Sequence, residues 1–183
     1  MDAALIKQAL GELGDRLWRR GVTTDILVFG GAAIALEFDH RRTTSDIDAL
    51  ILAGNGALVE AQAEVARSLD LPGSWLNEQA TPYLSKTQER TFFGSYPSEA
   101  RPGLRVYLAT PQHLLAMKLV ASRSWAEDLP DAVSLCRELG ISRREDILDV
   151  LRRFFPEQQI TPRMHQAIET VETALAAETP KPS

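Results

Sequence analysis

Two short segments of the chain carry residue types suited to phosphate and metal chemistry. The pair Gly30-Gly31 ends an apolar run, and a spacer of fourteen residues separates Gly31 from the triplet Asp46-Ile47-Asp48. A glycine pair lets backbone N–H groups approach an anion, and the N-terminus of a following helix favours negative charge there. Side chains alternate along a strand, so Asp46 and Asp48 would project from one face, about 6–7 Å apart. Two carboxylates at that spacing predict a site for Mg²⁺ or Mn²⁺ that also binds the phosphates of a nucleotide.

Both segments also have a purely structural interpretation. The glycine pair can serve only the turn, and the aspartate pair can face water at the edge of a strand. Aspartate disfavours strands, however, and two of them within an apolar run indicate a functional position. The chain has neither a Gly-x-Gly-x-x-Gly nor a Walker-type Gly-Lys-Ser/Thr sequence, which argues against a dinucleotide fold and a P-loop.

A third candidate is Lys118, which lies in the apolar stretch 114–120. A lysine in such a helix either reaches solvent along its own stem or is held by a carboxylate or a substrate phosphate. Asp128 and Asp131 follow at a distance that could supply the carboxylate. Asp128 alternatively serves as a helix N-cap.

The apolar patterns predict an α+β protein, with a small mixed β-sheet, flanking helices and a helical C-terminal part. We expect a core over residues 1–109, a helical part over 110–177 and a disordered tail over 178–183. The expected strands span 26–29, 46–52, 91–93 and 104–108, and the expected helices of the core span 2–20, 32–38 and 57–69. Later helices are predicted from Thr110-Pro111, near Asp128, from a capping box at 142–145 and from Thr161-Pro162.

Composition limits the class of protein. The 183 residues are 44% apolar and 25% charged with a net charge of −5, which argues against a basic surface for sequence-independent DNA binding. A single cysteine, Cys136, excludes an intramolecular disulfide and a cysteine-rich zinc site. No apolar run reaches bilayer-spanning length, and residues 1–7 lack the order of a signal peptide. We therefore expect a cytoplasmic protein that does not associate with a membrane.

Taken together, the motifs resemble the nucleotidyltransferase superfamily with a polymerase-beta-like core. Its signature is an apolar residue, two small residues, a spacer and an acid-apolar-acid triplet, here Phe29-Gly30-Gly31 and Asp46-Ile47-Asp48. The form Gly-Gly-x-Ala followed by Arg-x-Thr-x-Asp-Ile-Asp is similar to the abortive-infection and type IV toxin-type nucleotidyltransferases and their bacterial relatives. Those proteins also carry a later Lys-Leu helix, an arginine and spaced acids. Lys118, Arg123, Asp128 and Asp131 follow that order, and the resemblance covers about residues 25–140.

The resemblance implies transfer of a nucleoside monophosphate from a nucleoside triphosphate to an acceptor hydroxyl, with pyrophosphate leaving. Asp46 and Asp48 would bind Mg²⁺ (or Mn²⁺), and Lys118 would offset charge that develops on the phosphates. The acceptor would be a tRNA end in toxin-like relatives, or a protein or small-molecule hydroxyl in others. The residues expected to bind the nucleotide are Gly30, Gly31, Arg41, Arg42, Thr44, Ser45 and Arg123.

One feature departs from the superfamily pattern. Many members carry a third carboxylate on a later strand, and the expected strand 104–108 contains none. Either Asp128 or Asp131 supplies this base from the helical part, or the base is missing. In the second case the chain would be an inactive nucleotide- or partner-binding module of a toxin–antitoxin-type system, with a cognate antitoxin or regulator as its partner. The sequence does not determine the oligomeric state.

Overall fold

The computed structural model describes residues 1–38, 42–53, 56–121 and 125–177, which form two compact units. The first unit comprises Met1–Pro82 together with Arg90–Ala109, and it contains a β-sheet. The second comprises Tyr83–Glu89 together with the chain from Thr110 onward, and it is helical. The expected residues Arg41 and Arg123 and the tail 178–183 lie outside the described residues.

The first unit is built on a five-stranded mixed sheet, which confirms the predicted α+β class. The strand order is β3-β2-β1-β5-β4; β1 runs parallel to β5 and antiparallel to β2, β2 is parallel to β3, and β4 is antiparallel to β5. The strands are β1 (Thr24–Phe29), β2 (Ile47–Ala53), β3 (Leu76–Asn77), β4 (Arg90–Ser98) and β5 (Arg101–Ala109), and the helices are α1 (Ala3–Arg19), α2 (Gly30–Glu37) and α3 (Leu58–Ser68).

Local sequence explains the central strand but not every boundary. Residues 26–29 of β1 are apolar and fully buried, as expected for a strand covered on both faces. Strand β2 begins at Ile47 rather than at Asp46, and α2 begins at Gly30 rather than at Ala32. The two-residue strand β3 was not predicted, because so short a segment has no hydrophobic period to read.

Helix α1 approaches the β4–β5 hairpin so closely that two glycines are required. A Cβ on Gly14 would lie 2.7 Å from Tyr96 Cβ and would overlap the Tyr96 carbonyl. A Cβ on Gly103 would lie 2.6 Å from the backbone nitrogen of Trp18 and would overlap the Gly14 carbonyl. Real Cβ atoms do not approach other atoms this closely, so helix and hairpin are in backbone contact here.

The second unit contains α4 (Pro111–Ala121), α5 (Trp125–Glu138), α6 (Arg144–Phe154) and α7 (Pro162–Ala177). The helix starts predicted at Thr110-Pro111 and Thr161-Pro162 are confirmed. Thr110 Oγ1 accepts from the His113 N–H, and Thr161 Oγ1 accepts from the Met164 N–H. The predicted capping box at 142–145 is wrong. The helix begins one residue later than the box requires, with Arg143 as the N-cap, and a guanidinium has no acceptor for the backbone N–H groups. The Arg144 N–H donates instead to Glu172 Oε1.

Among the described residues, no helix combines the length and the apolar character needed to cross a bilayer.

The chain passes between the two units more than once. A 3₁₀ turn at Thr81–Tyr83 joins the first part of the first unit to residues 83–89 of the second unit. Two sheet strands, β4 and β5, then return the chain to the first unit before α4 begins.

The glycine contact between α1 and the hairpin gives a paired stability prediction. Gly14→Ala should lower the free energy of unfolding by about 1–3 kcal/mol, since the added methyl group overpacks a rigid backbone contact. Gly11→Ala, three residues earlier in the same helix, has no atom within 4 Å of the new methyl group and should stabilise by up to about 1 kcal/mol. Urea unfolding of both variants measures the difference, and equal effects of the two substitutions would contradict the proposed contact.

Candidate functional site

The turn from β1 into α2 has the backbone form expected of an anion-binding position. Gly30 has φ +65°, a conformation that residues with a Cβ rarely adopt, and it is the first residue of α2. Phe29 precedes it with extended backbone, and no side chain caps the first turn of the helix. The N–H groups of that turn have no acceptor within the helix and are directed along its axis.

Strand pairing places Asp48 beside this turn. Phe29 and Asp48 face each other across the antiparallel β1–β2 pair. Side chains of residues that face each other lie on the same side of a sheet, and a Cβ on Gly30 would lie only 3.1 Å from Asp48 Oδ2. The absence of a side chain at position 30 therefore leaves the room that the Asp48 carboxylate uses.

Asp46 lies immediately before β2 and is held by two hydrogen bonds. Ser45 Oγ donates to its Oδ1 over 3.0 Å, and Asn77 Nδ2 donates to its Oδ2 over 2.9 Å. Ile47, between the two aspartates, is fully buried while both aspartates are half-buried, so the predicted alternation holds. Asn77 belongs to β3, and the sequence analysis missed it because nothing in the sequence predicts that pairing.

The residues before Asp46 pass close to the second glycine. A Cβ on Gly31 would lie 2.9 Å from Thr44 Oγ1 and 3.4 Å from Arg42 Nε. The Thr44 N–H donates to the Met1 carbonyl, which fixes this segment against the start of the chain. The structure thus brings together, at one end of the β1–β2 pair, seven predicted residues: Gly30, Gly31, Arg42, Thr44, Ser45, Asp46 and Asp48.

The donor set fits a hard divalent cation. Asp46 and Asp48 offer carboxylate oxygens on partly exposed side chains. Each Asp46 oxygen accepts one hydrogen bond, from Ser45 or from Asn77, and a carboxylate oxygen can accept or coordinate more than once. The described residues contain no group of three or more His, Cys, Asp or Glu side chains able to hold a metal alone. Mg²⁺ commonly takes one or two carboxylates and completes its shell with water and substrate phosphates, which this arrangement allows.

The second unit holds Lys118 in a cluster of opposite charges. Lys118 Nζ lies 2.7 Å from Asp128 Oδ1 and 2.9 Å from Asp131 Oδ2. The side chains are 15% exposed at Lys118, 15% at Asp128 and 4% at Asp131, so the lysine does not reach solvent along its stem. Because α5 begins at Trp125, Asp128 is inside the helix and the alternative that it is a cap is wrong.

The charge of this cluster bears on the role expected of Lys118. One ammonium group lies between two carboxylates, and their formal sum is −1 at neutral pH. Lys118 is therefore engaged by two carboxylates of its own unit.

The face of β5 that corresponds to Asp48 carries no acid. Tyr107 faces Leu27 and Arg105 faces Asp25 across the parallel β1–β5 pair, and these β1 residues share the side of the sheet on which Phe29 and Asp48 lie. The positions available on β5 are therefore occupied by an arginine and a tyrosine. The third strand carboxylate of the superfamily pattern has no counterpart on this strand.

A separate depression of about 480 Å³ lies along α3, and its lining includes Val59, Gln62, Arg67 and Asp70. It contains none of the glycines or aspartates of the candidate site.

The single thiol of the chain, Cys136, is not a candidate nucleophile. Burial raises the pKa of Cys136 to about 12, so the thiol is a protonated core residue.

Comparison of the chain with protein-family models, with curated proteins and with solved structures gave no match.

The close approach of Asp48 to Gly30 gives a prediction with a matched control. Gly30→Ala and Gly21→Ala both force a Cβ into a positive φ, +65° and +67°, and each should cost about 1–2 kcal/mol of stability. Only Gly30→Ala also crowds a carboxylate, since the space around Gly21 is open. Binding of Mn²⁺ with a nucleoside triphosphate, followed by electron paramagnetic resonance, should weaken in Gly30→Ala and remain normal in Gly21→Ala. Equal binding by the two variants would refute the role given to Gly30.

The Lys118 cluster gives a second prediction. Lys118→Met removes the ammonium group that lies between two nearly buried carboxylates and should destabilise the protein by about 3–5 kcal/mol. The control is Lys86→Met, whose pair with Glu157 spans 3.7 Å between side chains that are 93% and 87% exposed. That pair should contribute at most about 1 kcal/mol. Thermal and urea unfolding compare them, and a loss in Lys118→Met as small as that in Lys86→Met would show that the cluster is not structural.

Proposed function

We propose that the protein is a Mg²⁺-dependent nucleotidyltransferase that moves a nucleoside monophosphate from a nucleoside triphosphate to an acceptor hydroxyl. The observation that carries this proposal is the contact of Asp48 with Gly30 at the start of α2, with Asp46 two residues away. A backbone able to bind phosphate and two carboxylates able to bind a divalent cation meet at one place. The mixed sheet around them supports the resemblance described from the sequence.

The residues of the first unit would bind and orient the triphosphate. The N–H groups at Gly30 and Gly31 would donate to phosphate oxygens, and the Arg42 guanidinium beside Gly31 would add a charged donor. Asp46 and Asp48 would hold the cation, with Asn77 fixing the orientation of Asp46. When bound, Mg²⁺ would neutralise charge on the phosphates and on the leaving group.

The reaction needs a destination for one proton. The acceptor oxygen attacks the α-phosphorus, the bond from that phosphorus to the bridging oxygen breaks, and pyrophosphate leaves. The proton of the acceptor hydroxyl passes to a carboxylate or to water. The resemblance implies Asp128 or Asp131 for that carboxylate, and both lie in the second unit, where each contacts Lys118.

A second candidate function is nucleotide or partner binding without transfer. Two observations favour it: β5 carries no acid beside Asp48, and the aspartates of the second unit are both engaged by Lys118. In this case the site would bind a Mg²⁺-nucleotide complex as a ligand. An antitoxin or regulator would then be the partner that responds to the bound state.

Transfer of the α-phosphate distinguishes the two functions. With α-³²P-labelled nucleoside triphosphates, Mg²⁺ and a mixture of cellular RNA and protein, the wild type should label an acceptor and release pyrophosphate. Asp48→Asn should reduce labelling by at least about 100-fold, because several kcal/mol of charge stabilisation are lost. Asp70→Asn, at an exposed position of the same unit, is the control and should not differ from the wild type.

Asp128→Asn tests the base separately. Loss of labelling with normal nucleotide binding would support Asp128 as the proton acceptor. Nucleotide binding by the wild type with no labelled acceptor and no pyrophosphate would refute transfer and favour the binding module.

A further inference from the structure

The sheet of the first unit exposes an aromatic side chain that the proposed chemistry does not use. Phe92, on β4, is 53% exposed. Its ring packs edge to face against Tyr107 on β5, with ring centroids 5.5 Å apart and an interplanar angle of 63°. This geometry fixes the Phe92 ring while leaving about half of the side chain available to a ligand.

Cationic side chains surround these rings. The Arg90 guanidinium lies 5.4 Å from the Tyr107 ring centroid, and Arg105 is 45% exposed although it pairs with Asp25 at 2.7 and 2.9 Å. Asp25 balances the charge of Arg105, so Arg90 is the cation that lies over the Tyr107 ring. We call Arg90, Phe92 and Tyr107 the aromatic patch. The positive charge of Arg90 complements a phosphate group, and the aromatic rings can stack with a nucleic-acid base.

Register places the aromatic patch on the same side of the sheet as Asp48. Asp48 faces Phe29, and Leu27, two residues earlier in β1, faces Tyr107. Tyr107 faces Phe92 in turn. Two strand spacings and two residues of rise separate the Cα atoms of Asp48 and Tyr107 by about 12 Å. A ligand of a few nucleotides can reach from the rings to the carboxylates.

We infer that the aromatic patch binds single-stranded RNA, with a base stacked on Phe92 and a phosphate paired with Arg90, and that the end of this strand carries the acceptor hydroxyl. Aromatic side chains on a sheet surface bind unpaired bases in this way. The identification of the strand as the acceptor rests on the proposed nucleotidyltransferase function. Binding of the RNA strand to the aromatic patch does not depend on that function, so the binding inference and the acceptor identification can fail separately.

The direct test is fluorescence anisotropy with a 5′-fluorescein-labelled RNA octamer in EDTA, without nucleotide. Phe92→Leu removes the ring but keeps an apolar side chain, and it should weaken binding by about 5-fold or more, the effect of one base–aromatic stack. Phe92→Trp keeps a ring and should restore binding. Trp18→Leu is the matched control, since Trp18 is an exposed aromatic residue of the same unit, 41% exposed, outside the aromatic patch.

Salt dependence tests the phosphate contact. Arg90→Gln should weaken octamer binding and make the slope of log K (the association constant) against log[salt] less negative by about 1. Arg90→Lys keeps the positive charge and should leave the slope unchanged. Melting temperatures within a few degrees of the wild type would show that the variants are folded.

Three results would overturn the inference. They are no octamer binding by the wild type, equal binding by Phe92→Leu and Trp18→Leu, and full competition by inorganic polyphosphate, which carries charge but no base. A change from dimer to monomer in Phe92→Leu on gel filtration, without octamer binding, would assign the aromatic patch to self-association instead. Octamer binding without any Mg²⁺-dependent nucleotide binding would refute the proposed function, but it would still support RNA binding by the aromatic patch.

Discussion

The pairing of Phe29 with Asp48 is the constraint on which the candidate site depends. It aligns the end of β1, where Gly30 turns the backbone to a positive φ, with the first residues of β2. A shift of this pairing by one residue would turn Asp48 to the other side of the sheet and bring buried Ile47 into its place. Burial of residues 26–29 fixes the register, so the packing of the core positions the carboxylate.

The sequence predicted which residues of the first unit lie close together better than it predicted what surrounds them. Gly30, Asp46 and Asp48 were found because residue type and spacing carry the signal locally. Asn77 could not be found, since its contact with Asp46 spans 31 positions and depends on a two-residue strand. The capping box failed for a related reason: α6 begins at Arg144, whose N–H donates to Glu172, 28 positions further along the chain.

The two units contribute different kinds of electrostatics. The first combines partly exposed carboxylates with backbone N–H groups, an arrangement that gains from a cation and a polyanion bound together. The second encloses an ammonium group between two carboxylates and already satisfies most of its charge. The sequence left open whether Lys118 reaches solvent or is held by a carboxylate or a phosphate, and the structure places it against both Asp128 and Asp131.

The central claim is that the first unit binds a nucleoside triphosphate through a divalent cation held by Asp46 and Asp48. Isothermal titration of the four nucleoside triphosphates, with and without Mg²⁺, tests it in the wild type and in the Asp46→Asn/Asp48→Asn double variant. The account predicts heat of binding that requires Mg²⁺ and disappears in the double variant. Binding that is independent of Mg²⁺, that persists in the double variant, or that is absent throughout would contradict the account.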